Sequence, residues 1–98
     1  MKLVKTNFTH TVNKSSSWIV YITRTREEAN ALHKFAMTQQ ELLIGASGDW
    51  YYSVSTVKIE KDCRVPEFFH ERGYYATVIE HNNGDWNATP KYDLYIAE

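Results

Sequence analysis

The chain has 98 residues, 43% of them hydrophobic and 23% charged, with a net charge of −1, four glycines, two prolines and one cysteine. That length makes one domain over 1–98; no apolar run approaches the ~18 residues of a membrane span, Cys63 has no internal disulfide partner, and "MKLVKTNFTH" lacks the apolar stretch of a signal peptide, so a cytoplasmic protein is expected. The charge is uneven, +5 over residues 1–26 and −6 over residues 27–98, as expected either of a bipolar binding surface or of neighbouring strands that pair opposite charges.

Val4, Thr6, Phe8, His10 and Val12 alternate with Leu3, Lys5, Asn7, Thr9 and Thr11, which is the period of a strand. "NKSSS", Asn13 to Ser17, is a polar turn. "WIVYITR", Trp18 to Arg24, is rich in branched and aromatic residues on both faces and predicts a central strand. Thr25 with Glu28 three residues on forms a capping box, and Ala29, Leu32, Phe35, Ala36 and Leu43 share one helical stripe. The expected helix runs from Arg26 to Leu43, with Gly45 as its stop.

A strand from Asp49 to Glu60 follows, entered through "GASG". Pro66 and Gly73 bracket a short helix over Pro66 to Arg72. "YYATVIEH", Tyr74 to His81, and "KYDLYIA", Lys91 to Ala97, are the last strands, joined by an "NNGD" turn and a loose "WNATP" loop. The order β-β-α-β-(short α)-β-β predicts an α+β fold, a mainly antiparallel sheet of about five strands with one long helix packed on one face.

Two doublings stand out. Gly-Asp-Trp occurs at Gly48–Trp50 and at Gly84–Trp86, but the flanking residues differ, so the triplets read as the same turn chemistry used twice. Tyr-Tyr occurs at Tyr51-Tyr52 and Tyr74-Tyr75 in expected strands, where neighbouring side chains point to opposite faces. One tyrosine of each pair therefore packs under the helix and the other points away. The face turned from the helix is expected to inherit Ile19, Tyr21, one tyrosine of each pair, Ile79 and Tyr95. Exposed contiguous aromatics mark contact surfaces. The candidate partner-binding residues are Tyr21, Arg24, Arg26, Tyr51, Tyr75 and Tyr95. The competing expectation is that the N-terminal strand, the short helix or a loop folds over this face and makes it core.

Motifs of chemistry are absent. His10, His33, His70 and His81 show no metal-ligand spacing, and Cys63 lies between Asp62 and Arg64 with no family signature. No phosphate-binding glycine loop and no nucleophile elbow occurs, so no catalytic residue, cofactor or metal is assigned. The expectation is a non-enzymatic protein-binding module, of the kind phages and mobile elements use to inhibit a larger host protein or defence complex. Its partner is another protein, and self-association into a two-fold dimer is a further use of the same face. A single-stranded nucleic-acid-binding domain is the alternative, because sheet tyrosines beside Arg24, Arg26 and Lys5 could stack bases. A small enzyme built on scattered carboxylates such as Glu80 and Asp85 is the second alternative.

Overall fold

The computed structural model describes residues 2–8, 17–46, 51–82 and 91–98, with the side chains of 40–46, 51 and 82 outside that description. Both Gly-Asp-Trp triplets, the polar turn and the loop before the last strand fall outside it. The elements are β1 (Leu3–Lys5), β2 (Ser17–Thr23), α1 (Arg26–Ala46), β3 (Tyr51–Lys58), a single 3₁₀ turn at Glu67–Phe69, β4 (Tyr75–Asn82) and β5 (Tyr92–Ala97). The strands form one mixed sheet in the order β1-β5-β2-β4-β3. β2 is central, antiparallel to β4 and parallel to β5; β1–β5 and β3–β4 are antiparallel.

The capping box forms as expected. The Thr25 hydroxyl accepts the Glu28 N–H at 3.2 Å and donates to the Glu28 carboxylate at 2.9 Å, which satisfies one of the orphan donors at the start of α1. Ala29, Leu32 and Ala36 are the buried face of the helix. The helix continues through Gly45 to Ala46, past the expected stop. Glycine permits a helix to end but does not oblige it to, since one glycine costs a helix only about 1 kcal/mol.

Cross-strand register fixes the two faces of the sheet. On one side Ile19, Ile79 and Val54 lie in line, as do Tyr21, Thr77 and Thr56. This side meets the helix, where Tyr52, Ile79 and Ala36 form a buried cluster that Ile19, Tyr21 and Val54 flank. On the other side Val20, Ile22, Ala76, Val78 and Leu94 form the larger core. That core is closed by residues 59–74, which bring down Ile59, Val65 and Phe69. Each buried side chain of this size contributes on the order of 1.5–3 kcal/mol, so the sheet is stabilised on both faces.

This arrangement corrects the expected face assignment. Ile19, Tyr21 and Ile79 lie on the helix side, and the register pairs Tyr95 with Tyr21 on that same side. β2 is apolar on both faces, so its sequence does not say which set meets the helix. The competing expectation is the one realised for the far face: the segment bearing the short helical turn folds over it. The tyrosine pairs do straddle the sheet where they are described, Tyr52 under the helix and Tyr74 packed against the far core.

Three boundaries also differ. β1 ends at Lys5; Thr6 N–H still reaches the Leu94 carbonyl at 2.8 Å, then the Thr6 hydroxyl accepts the Phe8 N–H and turns the chain. β3 ends at Lys58; Ile59 N–H still donates to the Tyr74 carbonyl at 2.9 Å in the same register, and its side chain lies in the far core. The expected short helix over Pro66–Arg72 shrinks to one turn, since Glu71 (φ 56°) and Gly73 (φ 79°) adopt left-handed backbone that no right-handed helix contains.

Candidate functional site

The helix does not cover its whole side of the sheet. Among the described residues the backbone of α1 packs closely on β3, β4 and β2, and not on β5 or β1. Tyr95 of β5 therefore lies beyond the helix, and Tyr21 of β2 lies at its edge, packed against the cluster around Ala36. Their registered positions stack the rings, with centroids 5.3 Å apart and planes 26° from parallel. Burial, then the neighbouring Tyr95 and Asp93, push the Tyr21 phenol above its ordinary range, so the ring stays neutral. Asp93 in turn pairs with Lys5 of β1 at 3.2 Å. That pair joins the basic N-terminal segment to the acidic remainder and cancels part of the charge asymmetry of the sequence.

Phe35 borders this surface. At 100° per residue it lies about 200° round α1 from His33, and His33 is the residue whose ring reaches Thr56 of β3. Phe35 is thus on the flank turned towards β2 and β5, and it is 58% exposed. The stacked tyrosines, the Lys5–Asp93 pair and the exposed Phe35 on the adjoining flank of α1 thus lie on the same side of the sheet.

The opposite flank of α1 has a different character. Arg26, Asn30 and His33 of the helix face Thr56, Val57 and Lys58 of β3 and Tyr75 of β4 across a cleft. The Arg26 guanidinium lies over the Tyr75 ring at 5.5 Å, a cation–π contact. Beneath it runs a hydrogen-bond relay from His33 Nδ1 to Thr56 (2.9 Å), Thr56 to Thr77 (3.1 Å) and Thr77 to the Ala29 carbonyl (3.3 Å). A carbonyl only accepts, so Thr77 donates to Ala29, Thr56 donates to Thr77, and His33 Nδ1–H donates to Thr56. The direction of the chain fixes the imidazole tautomer and leaves Nε2 as the second ring nitrogen.

On the far face residues 59–74 are tied down as the cover of the core. The Asp62 carboxylate accepts the Arg64 backbone N–H at 2.9 Å and pairs with its guanidinium at 2.7 Å. The hydrogen bonds from Arg64 hold this carboxyl below its usual range, against the opposing effect of burial. His70 Nε2 donates to the carbonyls of Asp62 (2.9 Å) and Val65 (3.2 Å), and the Tyr92 hydroxyl donates to the Arg64 carbonyl. Burial pushes the Tyr92 phenol far up, which keeps that donor protonated. An open hollow here is lined by Cys63, His70 and Asp62, but His70 Nε2 and Asp62 are already engaged in holding the segment together. Among the described residues no three His, Cys, Asp or Glu side chains are grouped as a metal site.

The candidate residues therefore separate into two groups. Tyr21 and Tyr95 come together in the aromatic patch. Arg26 and Tyr75 come together across the helix from it, and Arg24 is exposed in the bend before α1. The Tyr51 side chain lies outside the described residues. Sequence reasoning missed Phe35 as a surface residue, having assigned it to the buried stripe. It also missed the relay from His33, whose threonines are separated by 21 positions and show no linear signal.

No family model matches the chain, no curated protein matches it, and no solved structure matches it.

Proposed function

We propose that the protein is a protein-binding module whose contact surface is the aromatic patch at the edge of α1. The observation that carries this reading is the stacked Tyr21–Tyr95 pair at the edge of the helix, Tyr21 half-buried against the cluster around Ala36 and Tyr95 on a strand beyond those on which α1 packs. Rigid, preorganised aromatic rings bind at low entropic cost and recur as the energetic centres of interfaces. Phe35 adds apolar area beside them, and the Lys5–Asp93 pair supplies a polar rim.

The test is a matched set of Tyr21→Ser, Tyr95→Ser and Phe35→Ser variants of retained fold. Each should weaken capture of a defined partner by about 2 kcal/mol or more, read by calorimetry on the purified pair. Light scattering on the isolated chain separates this from self-assembly. A stable dimer that masks the three rings, or a partner that binds the triple variant unchanged, would sink the reading.

A further inference from the structure

The cleft on the other flank of α1 has a chemistry that the aromatic patch does not use. Arg26 and Lys58 enter it from the helix and from β3, with the exposed Asn30 beside them. No carboxylate lines it. Among the described residues the two ion pairs are Lys5–Asp93 and Asp62–Arg64, so neither Arg26 nor Lys58 is neutralised by an acid within 4.0 Å. Glu60 and Glu71 lie on the other side of Lys58, lining an adjacent hollow. Two cations thus line one small space beside a histidine of fixed tautomer.

We infer that this cleft is a binding site for a small oxyanion, a phosphate group or its monoester, held by Arg26, Lys58 and the protonated form of His33. The cleft, of about 280 Å³, has room for such a group together with its water. The guanidinium offers a planar fork to two oxygens, and the ammonium is a mobile point charge. His33 supplies the selective element. Thr56 holds Nδ1–H through the relay from Ala29, so neutral His33 presents the lone pair of Nε2 and repels an anion. Protonated His33 presents Nε2–H and donates to it. The proton and the anion therefore bind with positive coupling, each favouring the other. The groups around the ring are Arg26 and Asn30 from α1, Thr56 and Lys58 from β3, and Thr77 and Tyr75 from β4, with no acid among them.

Sulfate is the probe for the test, because it keeps its charge over a pH range in which phosphate changes its own. Titrated into isotope-labelled protein, it should shift the resonances of Arg26, Asn30, His33 and Lys58 together and saturably. Binding should be about tenfold tighter near pH 5.5 than near pH 8, the equivalent of one charge-assisted hydrogen bond gained with the proton. Lys58→Met and Arg26→Met, both at exposed positions, should each weaken sulfate binding severalfold. His33→Gln should bind sulfate with the weaker affinity at both pH values. The proposal is overturned if no saturable shift centres on these four residues. It is equally overturned if the pH dependence survives His33→Gln, or if His70 and His81 respond to sulfate as strongly as His33, which would mean general screening. An arm with a short oligothymidylate separates the sources of phosphate. Saturation at far lower concentration than sulfate, with Lys5 and Arg24 drawn in, would overturn the small-anion assignment in favour of a nucleic-acid strand. The aromatic patch lies across the helix from this cleft, so failure of either leaves the other standing.

Discussion

Thr77 shows how one buried hydroxyl organises a surface. It is fully buried, accepts from Thr56 and donates to the helix backbone at Ala29. Thr77→Val should destabilise the fold by about 1–2 kcal/mol, because it strands the Thr56 donor in a buried position; the shift of a urea midpoint measures it. In the native chain, nitrogen NMR at alkaline pH should find His33 in the Nδ1–H tautomer, opposite to the preference of free histidine. Thr56→Val should release it. Asp62 gives a pH prediction at the same scale. Its folded carboxyl is held below the usual range, so its contribution is present above an unfolded value of about 3.9 and is lost as pH falls through the lower folded value. Urea titrations from neutral pH into acid should show that loss, and Asp62→Asn should flatten it. None of this was legible in the sequence. A threonine in a strand reads as strand propensity, and its hydrogen-bond partners are set by which strands and helix happen to meet.

Among the elements, α1 was the most legible, since capping box, acidic first turn and apolar stripe all agreed on its start. Its stripe was less so, because Phe35 sits close enough to Leu32 and Ala36 on a helical wheel to pass for core. The strands of the sheet were legible as strands, but their faces were not. Trp18, Val20 and Ile22 on one face and Ile19 and Tyr21 on the other are both apolar enough to be buried, so periodicity could not say which set meets the helix. The decisive element was the 59–74 segment, which looks like a loop and behaves as the second wall of the core. Its two adjacent phenylalanines make a direct test. Phe69 is buried against the far core, whereas Phe68 is 62% exposed with Arg72 over its ring at 4.3 Å. Phe69→Ala should destabilise by about 3 kcal/mol, and Phe68→Ala should stay within roughly 0.5 kcal/mol of the native chain, both read by thermal or urea unfolding. Equal losses would mean that the segment does not close the core in this way.

Over the whole molecule, the α+β class and the element order followed from the sequence, while the strand order did not. Nothing in a strand of seven residues announces that its two neighbours will be β4 and β5, one antiparallel and one parallel. That order places α1 off-centre, over β2, β4 and β3, and so creates both flanks: an aromatic one above β5 and a basic one beside β3. The order also puts β5, made after every other strand, between β1 and β2. Leu3 pairs with Ala97, and Val20 with Leu94, contacts that span nearly the full length of the chain. Loops this long close slowly and late. During synthesis, then, β1 lacks its β5 partner until Tyr92–Ala97 has been made. A fragment ending before Tyr92 should remain open to protease, and one that includes Tyr92–Ala97 should gain resistance in one step.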